Sequence, residues 1–152
     1  MKSDSVIELT DLIVTPLDLG RVQREIFDID QKLNANKGNL PYIGNELNSI
    51  VKAANVNLLQ ADDRDRVIKQ LAFVRRTAPS IQVSFASQPS KLAIRPIVRW
   101  FRQNGHPNTL VNINIQPELG GGCVVRTSSR EFDFSLQKIF KQNQNLLASK
   151  LV

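Results

Sequence analysis

At Ala78-Pro79 the apolar residues change their spacing. Before this point they recur every three to four residues, the period of one helix face. After it they first alternate, the period of a strand. A run of helices followed by a mixed segment predicts an α+β fold. Residues 1–78 are expected to form a helical bundle, and residues 79–152 a small β-α-β-β-α domain.

In the first half, Thr15-Pro16-Leu17-Asp18 reads as a helix start. Thr15 can cap free amides, Pro16 suits the first helical position, and Asp18 favours the positive end of the helix dipole. Leu19, Val22, Ile26, Ile29 and Leu33 follow as one stripe, and Asn36-Lys37-Gly38 as the stop. A shorter helix is expected before it, near Val6–Val14. Another starts at about Pro41 and carries Ile43, Leu47, Ile50, Val51 and Ala54. A further helix opens at Asp62-Asp63-Arg64-Asp65, buries Val67, Ile68, Leu71 and Val74, and ends at Arg75-Arg76. Its charges suit the helix dipole at both ends. Such narrow stripes require the helices to pack on one another.

In the second half, Ile81, Val83 and Phe85 alternate with polar or small residues, which predicts a strand. Residues 87–105 read as a helix. Leu92, Ile97, Trp100 and Phe101 are expected inward, and Lys91, Arg95, Arg99 and Arg102 outward. Pro96 predicts a kink or a late start. Residues 110–115 alternate as a second strand. Gly120–Gly122 is expected as a turn joining two strands, with residues 123–127 as the third strand and Glu131-Phe132 as a short fourth. Asp133 or Ser135 then caps a final helix whose stripe is Leu136, Ile139, Phe140, Leu147 and Leu151.

A length of 152 residues with 41% hydrophobic content allows one ordinary domain or two small ones. The single cysteine forms no internal disulfide and excludes a four-cysteine zinc site. Three acids interrupt the apolar residues of Met1–Asp11, so a signal peptide is not expected. No stretch reaches the ~18–20 apolar residues of a membrane span, so a soluble chain, or one held at a membrane through partners, is expected. The charge is uneven. Residues 1–78 carry eleven Lys/Arg and eleven Asp/Glu, whereas residues 79–152 carry nine against three. That asymmetry suits an acidic or anionic partner for the second half.

The glycines do not read as a phosphate loop. No Lys-Ser/Thr pair follows them, and they lead into a strand, not a helix. Glycine's tolerance of positive φ explains them as a turn. Cys123 and His106 are single copies, and a cysteine heading an apolar strand is usually a small core residue. Asp62, Asp63 and Asp65 are better explained by a helix start than by a metal. Arg95, Arg99 and Arg102, with Trp100 nearby, make a basic face suited to an acidic helix or a nucleic-acid backbone.

The order of the second half then carries a resemblance. A strand ends in Pro117-Glu118, followed by Gly121-Gly122, the valine strand Val124-Val125, Asp133-x-Ser135 and a closing helix. Over residues 79–152 this resembles the C-terminal region of the delta subunit of F-type ATP synthases, called the oligomycin-sensitivity-conferring protein in mitochondria. The resemblance implies a non-catalytic stator subunit on the cytoplasmic face of the cell membrane, peripheral to it, without a cofactor. It would tie the catalytic head to the peripheral stalk by gripping the C-terminal helices of the b subunits. Any docking of the N-terminus of the alpha subunit would fall to the helical half. Gly121, Gly122, Asp133 and Ser135 would define the fold. Arg126, Phe132, Leu136, Ile139, Phe140 and Leu147 would meet the partner. The family's helical half is usually longer than the 78 residues here, and its usual alanine-rich N-terminal pattern is not visible. The alternative expectation is a small basic nucleic-acid-binding protein using Arg95, Arg99 and Arg102.

Overall fold

The computed structural model describes residues 7–35, 39–139 and 141–143. The first half holds α1 (Pro16–Ala35), α2 (Asn45–Ala53) and α3 (Ala61–Thr77). The second holds β1 (Ser80–Phe85), α4 (Lys91–Asn104), β2 (Leu110–Ile115), a 3-10 turn (Pro117–Leu119), β3 (Cys123–Arg126) and β4 (Glu131–Asp133). Residues 136–139 and 141–143 are helical again. The protein is of the α+β class. The expected stop Asn36-Lys37-Gly38 lies outside the described residues, as do Phe140, Leu147 and Leu151.

α1 starts with a reciprocal cap. The Asp18 amide donates to Thr15 Oγ1 at 3.2 Å, and Asp18 Oδ2 accepts from the Thr15 amide at 3.0 Å. Two amides at the helix start thus find oxygens. The stripe Leu19, Val22, Ile26 and Ile29 is buried against Leu47 and Ile50 of α2 and Val67, Leu71 and Val74 of α3. α2 begins four residues later than Pro41, because extended Gly44 holds the N-cap position and its amide donates to the Glu25 carboxylate.

The sheet order is β2-β1-β3-β4. β1 pairs in parallel with β2, placing Val83 beside Ile113, and antiparallel with β3, placing Val83 beside Val125. β4 pairs antiparallel with β3, setting Phe132 opposite Val125. The glycine segment therefore differs from expectation. It does not join neighbouring strands, because β1 lies between β2 and β3. The 3-10 turn and the glycines carry the chain past the end of β1, where the Gln116 amide donates to the Phe85 carbonyl at 2.7 Å.

α4 starts at Lys91, not near Ser87, with Ser90 Oγ accepting from the Ala93 amide at 3.2 Å. Its buried face is Ile94 and Val98, one turn apart, against Ile81, Val83, Val111 and Val125. Ile97 and Phe101 sit at the margin of that cluster. Leu92 and Trp100, expected inward, are 71% and 58% exposed. The contact is a single stripe, and their positions on the helix turn away from it.

Residues 7–14 are not the helix expected near Val6–Val14. They run as irregular chain with a turn at Asp11-Leu12. Ile7, Leu9 and Ile13 enter the helical core, while Val14 enters the sheet core. Leu110 of β2 in turn packs in the helical core. The change at Ala78-Pro79 is therefore one of secondary structure, and side chains from either side of it share both cores.

Candidate docking surface

The glycine loop and the helix that follows Ser135 form one local structure. Gly120, Gly121 and Gly122 have φ of 67°, 145° and 71°. A Cβ on Gly122 would lie 2.2 Å from the Phe134 carbonyl oxygen, and one on Gly121 would lie 2.6 Å from Leu136 Cδ1. The glycines are needed because the later chain lies on them. The Leu136 amide donates to the Gly121 carbonyl at 3.0 Å, and the Phe134 amide to the Cys123 carbonyl at 2.9 Å. Ser135 is buried and its Oγ accepts from the Lys138 amide at 3.3 Å, so it occupies the N-cap. Asp133 does not cap. Its Oδ1 accepts from the Ser135 amide at 2.9 Å, and its bonds from Ser135 hold its carboxyl below the usual carboxylate range. Gly121, Gly122, Asp133 and Ser135 thus meet in one place.

α4 covers only part of its side of the sheet. Phe132 shares that side with Val125, Val83 and Ile113, by the strand register. Phe134, two residues on, stacks on it with ring centroids 6.4 Å apart and planes 7° apart. Phe132 is 40% exposed and Phe134 60%. Ile115, Leu136 and Ile139 are also exposed apolar residues. Leu92, Pro96 and Trp100 recur every fourth residue along the solvent side of α4. The β3–β4 side of the sheet thus leaves apolar residues in solvent, and α4 exposes apolar residues of its own. Exposed patches of this sort mark interaction sites. Arg126 lies apart from these residues: it is paired with Glu131 at 2.6 Å, on the opposite side of the sheet from Phe132.

On the basic side of α4, Lys91 and Arg99 are exposed as expected, whereas Arg95 and Arg102 are half-buried. Arg102 donates to the carbonyls of Thr109, Leu9, Thr10 and Ile13. Burial lowers its pKa from the usual arginine value. Arg99 pairs with Asp11. Lys91 Nζ lies 2.9 Å from Asp18 Oδ1 and 3.5 Å from Glu46 Oε1. Arg95 Nε is buried with no hydrogen-bond partner among the described residues. Three of the four cations therefore have partners in the first half of the chain, although Lys91 and Arg99 remain about half exposed.

A second concavity lies between α1 and α3. Leu17, Gly20, Ile26, Phe27, Ile68 and Ala72 line it, with Arg24, Arg75, Gln23 and Asp28 at its rim, and its volume is about 350 Å³. Leu17 and Phe27 are more than half exposed in it. Sequence reading missed this groove, although Leu17, Gly20, Arg24 and Phe27 fall on one helical flank outside the main stripe.

Other candidate chemistry falls apart in space. Cys123 pairs with Phe85 at one end of β1, while His106 precedes Leu110, which pairs with Ser80 at the other end. Burial pushes the Cys123 thiol above its ordinary pKa, away from the reactive thiolate. Asp63 accepts from the Asn57 amide at 2.9 Å and Asp65 pairs with Lys69 at 2.6 Å. Among the described residues no group of three or more His, Cys, Asp or Glu side chains is placed to hold a metal ion. No helix among them is long and apolar enough to cross a membrane. No known protein family matches the chain, and no curated protein matches it.

Proposed function

We propose that this chain is a non-catalytic connector in the stator of an F-type ATP synthase, a shortened relative of the delta subunit. It would act at the cytoplasmic face of the cell membrane, peripheral to it, linking the catalytic head to the stalk. One observation carries the reading: Phe132, Phe134, Leu136 and Ile139 stand in solvent on a segment hydrogen-bonded to the glycine loop. A surface helix from the b subunits can bury its apolar stripe there, in a helix-in-groove manner. The excess of cations in residues 79–152 favours acids at the rim of that helix. The α1–α3 groove offers a second apolar seat in the helical half, suited to an amphipathic helix such as the N-terminus of the alpha subunit.

Apolar docking of this type tolerates salt, whereas binding to a nucleic-acid backbone weakens steeply with it. The internal partners of Lys91, Arg99 and Arg102 compete with any phosphate for the basic face. The test is a titration of the whole chain with a peptide spanning the last helix of the b protein. Saturable binding that survives raised salt and is weakened by Phe134→Glu supports the reading. Failure of that peptide to bind, with duplex or single-stranded nucleic acid binding instead, contradicts it.

A further inference from the structure

Residues 7–14 touch both halves of the molecule and have no regular structure of their own. Their apolar side chains divide between the cores: Ile7, Leu9 and Ile13 enter one, Val14 the other. Their backbone is held from far along the chain. The Val111 amide donates to the Val14 carbonyl at 2.9 Å, attaching the segment to the outer edge of β2. Asn108 Oδ1 accepts from the Leu9 amide at 2.8 Å, and Asn108 Nδ2 donates to the Ile7 carbonyl at 3.1 Å.

Arg102 makes the densest set of contacts. Nη1 reaches the carbonyls of Leu9 and Thr10 at 3.1 and 2.9 Å, Nη2 reaches Ile13 at 2.6 Å, and Nε reaches Thr109 at 3.1 Å. One planar guanidinium thus binds four carbonyls drawn from two separate segments. An ammonium on a flexible stem has three donors and no fixed fork to reproduce this.

We infer that residues 7–14 are a strap that locks the helical half to the sheet, and that Arg102 is its latch. With the latch closed the two halves move as one body. With it removed, the carbonyls of Leu9 and Ile13 lose the guanidinium, Thr10 keeps only the Ile13 amide, and the strap releases while helices and strands persist. The direct contacts between the halves, among them Leu110 in the helical core and Lys91 on Asp18 and Glu46, then no longer hold them in one orientation. The mechanical consequence rests on the stator reading: a connector under torque transmits it only if its two gripping parts do not swivel.

The experiment measures distances between spin labels placed on exposed sites of the full chain, Asp28→Cys on α1 and Ser129→Cys in the β3–β4 turn, with Cys123→Ser removing the native thiol. Amide exchange of residues 7–14 is followed in parallel. The unaltered strap should give one narrow distance distribution and protected amides at Leu9, Ile13 and Val14. Arg102→Ala and the milder Arg102→Lys should broaden the distribution and abolish that protection, while far-ultraviolet circular dichroism is retained. Asn108→Ala should do the same to a smaller extent and serves where Arg102→Ala does not fold. A broad distribution in the chain with its strap unaltered overturns the proposal without any variant. So does a narrow one that persists in Arg102→Lys and Asn108→Ala. Neither measurement involves another synthase component, so it fails or succeeds separately from the stator reading.

Discussion

Gly120 and Gly122 stand at nearly the same positive φ, yet their surroundings separate them. A Cβ on Gly120 meets nothing within 4 Å, whereas one on Gly122 meets the Phe134 carbonyl. Gly120→Ala should cost ~1 kcal/mol, the left-handed penalty alone. Gly122→Ala adds a clash with backbone and should cost ~2 kcal/mol or more. Urea melts of the two variants check the order. Ser135→Ala should cost ~1 kcal/mol as a lost N-cap, and more than Asp133→Ala, which removes a local turn bond. Asp18 gives a pH prediction. Burial alone would raise its pKa, but bonds from Lys91, Thr15 and Val14 outweigh that and hold it below the ordinary carboxylate value. A group with a depressed folded pKa stabilises the fold above its unfolded pKa of about 4. That stability is lost as pH falls through the folded value. Asp18→Asn should therefore flatten the acid side of the stability curve below about pH 4, as read by thermal melts across pH.

α1, α3, β1 and β2 were legible in the sequence because one physical period ran through each. The capping pair Thr15 and Asp18 was legible too, since a cap acts within four residues. What escaped were interactions between distant residues. The strap at residues 7–14 looked helical because its apolar residues also fit that spacing, and only Asn108 and Arg102, about ninety or more positions away, decide otherwise. Arg102 read as solvent-facing for the same reason. Arg64, buried on Asp30 at 2.6 Å with Leu58 and Leu59 carbonyls around it, carries no local signal at all. The groove between α1 and α3 depends on how two helices sit together, which no single stripe records. It yields its own prediction. Gly20 lies inside α1 with nothing within 4 Å of a Cβ. Gly20→Ala should stabilise the chain by up to ~1 kcal/mol through helix propensity, measured by urea melts. Gly20→Trp should fill the groove and weaken any helix that docks there. On the sheet side, Phe134→Glu should leave stability within ~0.5 kcal/mol, since the ring is mostly in solvent. It should cost partner affinity about tenfold or more if the ring is an anchor.

At the scale of the whole molecule, two apolar seats lie on separate halves: the groove beside α1 and α3, and the exposed apolar residues beside β4. A chain built this way is suited to holding two helices at a fixed separation, which is what a connector between head and stalk requires. The central claim is that those helices belong to a rotary synthase. The decisive measurement is affinity purification of the tagged full chain from gently solubilised native membranes, with co-purifying proteins identified by mass spectrometry. A stator connector should bring down the alpha, beta and b subunits, retained at raised salt and with b lost in the Phe134→Glu chain. Recovery of nucleic acid that salt removes, with none of those synthase proteins present, would contradict it.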